Sequence, residues 1–130
     1  RGLVVTGVQT CALPIYENAL DGFYKDLDIF VMPAKSRFFG REYEGLGLVY
    51  LEAASYGLPV LVGSSGGAFE TIIPGKTGFI VGSRNEIYDA IKYFNENKDM
   101  IKEFGSNSKL FVEENFSWET VVEKFKINTN

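Results

Sequence analysis

Histidine is absent from all 130 residues. With it go imidazole bases, imidazole metal ligands and both the Ser/His and Cys/His modes of nucleophilic catalysis. Any chemistry must therefore rest on carboxylates, backbone amides and groups that a substrate brings. Cysteine is almost absent too. Cys11 stands alone and can form neither an internal disulfide nor a thiolate zinc site, which suits a reducing compartment. No apolar run approaches the roughly 20 residues that cross a bilayer, so a cytoplasmic, soluble protein is expected. Positive charge is in deficit: 13 Lys plus Arg against 17 Asp plus Glu leave a net charge of −4. No basic field is present to hold a nucleic-acid backbone, and no nucleic-acid partner is expected. Apolar residues make up 45% of the chain and aromatic residues 15%, enough for one modest domain or part of one. A compact chain of this length buries roughly two-thirds of the surface that its unfolded form exposes.

The first fifteen residues, RGLVVTGVQTCALPI, carry a single charge, Arg1, and lack the charge-then-apolar layout of a signal peptide. The run VTGVQTCALPI resembles the translation of a common sequencing adapter. Residues 1–15 are therefore expected to be foreign to the protein and residues 16–130 to form its genuine part. The alternative is an edge strand over residues 3–8 with a turn at Pro14.

Beyond residue 16, short apolar runs alternate with longer periodic segments, the pattern of β/α units around a parallel sheet. In residues 18–27, Ala19, Leu20, Phe23, Tyr24 and Leu27 repeat at helical spacing, although Gly22 weakens the helix. Residues 28–32 form a nearly continuous apolar run stopped by Pro33, as in a strand covered on both faces. After a charged, aromatic loop, Leu48, Leu51, Ala54 and Ser55 repeat helically until Gly57. A strand over 59–62, a short helix over 68–73, the turn PGKTG and a strand over 78–81 continue the rhythm. Three helical stripes close the chain: Ile87, Ala90, Ile91 and Phe94; Ile101, Phe104, Ser108 and Phe111; and, after Ser117 as N-cap, Trp118, Val121, Val122 and Phe125. All three read as core faces.

The chemistry concentrates in residues 44–70, EGLGLVYLEAASYGLPVLVGSSGGAFE. A helix that opens after Gly45 and Gly47 leaves its first amides unpaired at its positive end, so a phosphate approaching Gly47, Leu48 and Val49 meets waiting donors. Glycines there let the backbone touch a ligand. Glu44 would repel a phosphate but is suited to accept hydrogen bonds from sugar hydroxyls, and Glu52, further along the helix, could grip a ribose diol. The loop SSGGAFE repeats the arrangement before Glu70. Two such loops at strand ends form the crevice in which open α/β sheets bind ligands.

The order Glu44, seven residues, Glu52, then GLPV, GGAFE, GKTGF and finally FSWE resembles the donor-binding half of retaining glycosyltransferases of the GT-B fold. The match is with the group 1 class, family 4, which includes bacterial mannosyltransferases and glucosyltransferases. The resemblance runs from about Asp26 to Phe125. It implies an α/β fold: a partial Rossmann-like parallel sheet of about three strands with flanking helices, the C-terminal half of a GT-B C-terminal domain. It further implies that Glu44 is the catalytic-site residue contacting donor-sugar hydroxyls. The backbone of Gly45, Leu46, Gly47, Leu48 and Val49 would hold the sugar and distal phosphate, Glu52 the ribose hydroxyls, and Gly66, Gly67 and Glu70 would line the crevice. Arg37 and Arg41, in an inserted loop, could meet a phosphate or an anionic acceptor, and equally read as solvent-facing charges.

The reaction so implied moves a sugar from a nucleotide-diphosphate sugar to an alcohol acceptor with retention, the leaving diphosphate taking the acceptor proton. No metal and no cofactor are expected. An N-terminal acceptor domain and the Arg and Lys that meet the pyrophosphate are expected to belong to a longer parent, with peripheral membrane association. The fragment alone is expected to be inactive, with strand 28–32 as an exposed edge prone to self-pairing. The rivals are a sugar-nucleotide epimerase of the same fold and a non-catalytic sugar- or nucleotide-binding domain. A phosphorylase would need a pyridoxal lysine, for which Lys76 in a polar turn is a poor candidate. A dinucleotide oxidoreductase would need a third glycine that GLGLVYLE lacks.

Overall fold

A computed structural model of the chain describes residues 2–3, 5–6, 17–33, 47–64, 66–120 and 122–123, of which 5, 6, 17–20 and 66 are described by backbone alone. Strands β1 (Val5–Thr6), β2 (Ile29–Met32), β3 (Val60–Gly63) and β4 (Gly78–Val81) form one parallel sheet in sequence order. The helices are α1 (Glu17–Lys25), α2 (Leu48–Ser55), α3 (Arg84–Glu96) and α4 (Lys98–Phe116), with a 3-10 helix over Gly66–Thr71 between β3 and β4. The sequences IFVM and VLVG are buried at every position because both faces of the sheet are covered. Alternation along β2 sends Phe30 and Met32 to one side, where Tyr24, Tyr50, Ala53 and Ala54 of α1 and α2 pack. Ile29 and Val31 face the other, with Ala90, Phe94 and Phe104 of α3 and α4. Phe94 is fully buried, 5.2 Å from the Phe104 ring and 5.7 Å from Phe79.

The two turns that feed the strands are made by glycines with positive φ. Gly57, at φ 75°, ends α2, its amide bonding to the Ala54 carbonyl while Leu58 bonds back to Ala53. Gly75, at φ 78°, follows Pro74 in a turn closed by the Lys76 amide on the Ile73 carbonyl. The Thr77 hydroxyl, buried, accepts from the Ile73 amide at 2.8 Å, and its carbonyl accepts from Val60 and from Ser108 Oγ. A Cβ on Gly78 would collide with the Val60 carbonyl. The GKTGF motif thus earns its residue types from strand approach and turn geometry.

Several expectations need correction. The three parallel strands expected are present as β2, β3 and β4, and a two-residue β1 is added beside them, where Val5 and Thr6 pair with Ile29 and Phe30. The outer side of β2 is therefore partnered at those two positions, where an exposed edge was expected. The helix read over 68–73 is a 3-10 helix starting at Gly66. The Thr71 hydroxyl bonds to the Ala68 carbonyl three residues back, and Thr77 takes the Ile73 amide, which ends the turn. On α2 the buried set is Tyr50, Leu51, Ala53 and Ala54, whereas Leu48 and Ser55 face out. Trp118 is 79% exposed and joins no core face, although Ser117 does cap its turn by accepting from the Thr120 amide at 3.2 Å. At 19 residues α4 is about 28 Å long and packs mainly against α2 and α3. Val121 and Phe125 lie outside the described residues.

Candidate donor site at the head of helix α2

The mouth of α2 is set by one buried tyrosine. Tyr50 is fully buried under the first turn, and its hydroxyl donates to the carbonyl of Met32 at 2.6 Å. That bond ties the head of α2 to the C-terminal end of β2. Gly47 is buried against the same ring, and a Cβ there would overlap it, so the glycine is required by packing as well as by any ligand. The Tyr50 amide turns back to the Gly47 carbonyl at 2.9 Å. Among the described residues no side chain caps this helix, so the Leu48 and Val49 amides have no side-chain acceptor there. The start of α3, by contrast, is closed: Ser83 accepts from the Glu86 amide at 3.2 Å and Glu86 accepts from Ser83 and Gly82.

Leu48 and Glu52 are four residues apart on the exposed face of α2, so the Glu52 carboxylate stands one turn along from the open amides. It is not loose. Tyr24 of α1 donates its phenol to Glu52 Oε2 at 3.0 Å. Tyr24 is buried, and its ring stacks on Tyr56 with centroids 5.0 Å apart. Burial foremost, then the Glu52 charge and hydrogen bond, push the Tyr24 phenol far above its ordinary range. Tyr56 in turn donates to Asp21 at 3.0 Å, a bond that raises its phenol, while Lys25 and then Tyr56 lower the Asp21 carboxyl. Helical periodicity had placed Tyr24 only as an apolar core residue. The signal it carried was its hydroxyl, since a buried tyrosine needs a partner for that group.

The second loop follows β3. The 3-10 helix touches α2, Gly67 is half-buried and Glu70 and Phe69 are exposed. Gly66 begins this helix. Among the described residues no hydrogen bond or ion pair engages the Glu70 carboxylate. The open end of α2 and the Gly66 turn therefore lie at the C-terminal ends of neighbouring strands, where an open parallel sheet forms its ligand crevice. Glu44, Gly45, Leu46, Arg37 and Arg41 lie outside the described residues. Lys76 is exposed in its turn. Among the described residues no group of three or more His, Cys, Asp or Glu could hold a metal ion, and no helix is long and apolar enough to cross a membrane.

An α/β half-domain, with a parallel sheet and a helix that starts at its strand ends, is the class that this structure defines. Residues 8–111 match the family "Glycosyl transferases group 1", and the chain belongs to that family. It is 37% identical over 120 residues to a GDP-mannose-dependent alpha-(1-6)-phosphatidylinositol monomannoside mannosyltransferase of Mycobacterium tuberculosis, an alignment covering 91% of this chain and 29% of that protein. The chain thus spans 29% of the length of that curated relative. Among solved structures, sucrose-phosphate synthase from Thermosynechococcus elongatus superposes with TM-score 0.70 and 28% identity over 85% of this chain and 26% of that one. The C-terminal domain of a group 1 glycosyl transferase from Francisella tularensis superposes with TM-score 0.67 and 21% identity, again over 85% of this chain but 53% of that domain. The architecture is the C-terminal half of a GT-B C-terminal domain.

Proposed function

We propose that this chain, through residues 16–130, supplies part of the donor site of a retaining family 4 glycosyltransferase that moves a hexosyl group from a nucleotide-diphosphate sugar to an alcohol. The observation that carries the reading is the pairing on α2 of an uncapped amide end, fixed at the C-terminal edge of β2 by Tyr50, with a carboxylate one turn along the same exposed face. The amides of Gly47, Leu48 and Val49, with those of Gly45 and Leu46, would stabilise charge on the departing diphosphate. Glu52 would accept from the ribose diol, Glu44 from the sugar hydroxyls, and Gly66, Gly67 and Glu70 would border the crevice. The departing diphosphate would take the acceptor's proton on the same face of the sugar, which needs neither a histidine nor a metal or other cofactor. The acceptor would be held by a further domain of a cytoplasmic, peripherally membrane-associated parent, and the chain alone would bind donor without transferring sugar. GDP-mannose is the first donor to test, because a relative 37% identical is named for it.

The test is calorimetric titration of the chain with GDP-mannose and with UDP-glucose, beside Glu44→Ala and Glu52→Ala variants. Loss of a hydrogen bond to a charged group should weaken binding by about tenfold or more in each variant. Unchanged affinity in both variants refutes the assignment.

A further inference from the structure

We infer that Tyr24 is a positioning residue for the Glu52 carboxylate, an inference that rests on the donor-site reading above and adds a residue outside residues 44–70. A glutamate on an exposed helix face samples many rotamers, and holding it in one costs conformational entropy. Here the donor that holds it is packed among three other rings. The Tyr24 ring is 3% exposed and is bounded by Phe23 at 5.2 Å, Phe30 at 5.9 Å and Tyr56 at 5.0 Å, centroid to centroid. Its hydroxyl therefore presents one fixed donor to Glu52 Oε2 at 3.0 Å. Among the described residues Oε1 has no partner, so one oxygen is anchored while the other remains to accept from a diol. Anchoring the carboxylate before the ligand arrives removes an ordering cost from binding. Tyr56 buttresses the ring from the far side, itself held by Asp21.

The experiment titrates the chain, Tyr24→Phe, Glu52→Ala and the double variant with GDP and with 2′,3′-dideoxy-GDP, which lacks the hydroxyls that Glu52 would accept from. Thermal melts of each protein run alongside. Tyr24→Phe should weaken GDP binding roughly three- to tenfold, leave the dideoxy ligand within about twofold, and cost nothing further once Glu52 is alanine. A purely structural role would weaken both ligands alike. Equal loss for the two ligands, or GDP affinity unchanged in Tyr24→Phe while Glu52→Ala loses it, overturns the positioning role alone. No binding of GDP to the unaltered chain at millimolar concentration, or full binding by Glu52→Ala, overturns the donor-site reading on which it rests.

Discussion

Helix α4 lies against the end of α2 at a glycine pair, and the same substitution, glycine to alanine, should have opposite signs there and on α1. Gly105 is buried in the middle of α4, and a Cβ on it would fall well inside contact of the Gly57 carbonyl oxygen and 3.0 Å from its carbon. Both atoms are backbone, so no side chain can rotate aside, and the positive φ of Gly57 fixes where that carbonyl points. Alanine gains about 1 kcal/mol of helix propensity over glycine. Overpacking against a rigid neighbour costs about 1–3 kcal/mol, occasionally more. Relieving the clash requires α4 to retreat by about an ångström, which also stretches the bonds from Ser108 to the Thr77 carbonyl at 3.0 Å and from Asn107 to the Lys76 carbonyl at 3.1 Å. Each of those bonds is worth about 1 kcal/mol. The net expectation for Gly105→Ala is a loss of about 1–3 kcal/mol. At about 4 °C per kcal/mol for a chain of this length, that lowers Tm by about 4–12 °C. Gly22, exposed on α1, has nothing within 4 Å of its would-be Cβ. Gly22→Ala should therefore raise Tm by about 2–4 °C through propensity alone. Circular-dichroism melts and urea titrations of the two variants and the parent decide the matter. A Gly105→Ala chain as stable as the parent would refute the backbone contact as the reason for glycine at that position.

Two further outcomes are expected. The Tyr24 phenol sits above its unfolded value of 10.0, so its contribution to stability is complete below about pH 10 and is lost as pH rises beyond it. The parent should therefore lose stability more steeply than Tyr24→Phe between about pH 10 and pH 12 in urea titrations. Tyr56, whose phenol is raised in the same direction by Asp21, is retained in both proteins; parallel slopes would refute the reasoning. Ser83→Ala removes the acceptor for the Glu86 amide at 3.2 Å and should cost about 1 kcal/mol in the same assay, against no change if α3 starts elsewhere.

Much of the architecture was legible because burial on both sides of a parallel sheet leaves a run of apolar residues, and IFVM and VLV are such runs. The ends of α2 were legible for a similar reason: glycine at position 57 is demanded by backbone geometry alone. Local chemistry of this kind survives in one dimension. What the sequence could not convey was which neighbours a side chain would meet. Tyr24 and Glu52 are 28 residues apart, and nothing in the spacing of either announces the other. Tyr50 reads as one more aromatic on a helix, yet its reach to the Met32 carbonyl decides where the amide end of α2 points. Trp118 fits a helical stripe, yet it lies past the end of α4 and is exposed. The sequence alone determined strands β2, β3 and β4 and the glycines of the two turns, because burial on both faces and a positive φ each leave a local mark. The anchoring of the Glu52 carboxylate by Tyr24, and the tie of the α2 head to β2 through Tyr50, were decided only by tertiary packing, since a hydrogen bond between distant residues exists only once the core has brought them within about 3 Å.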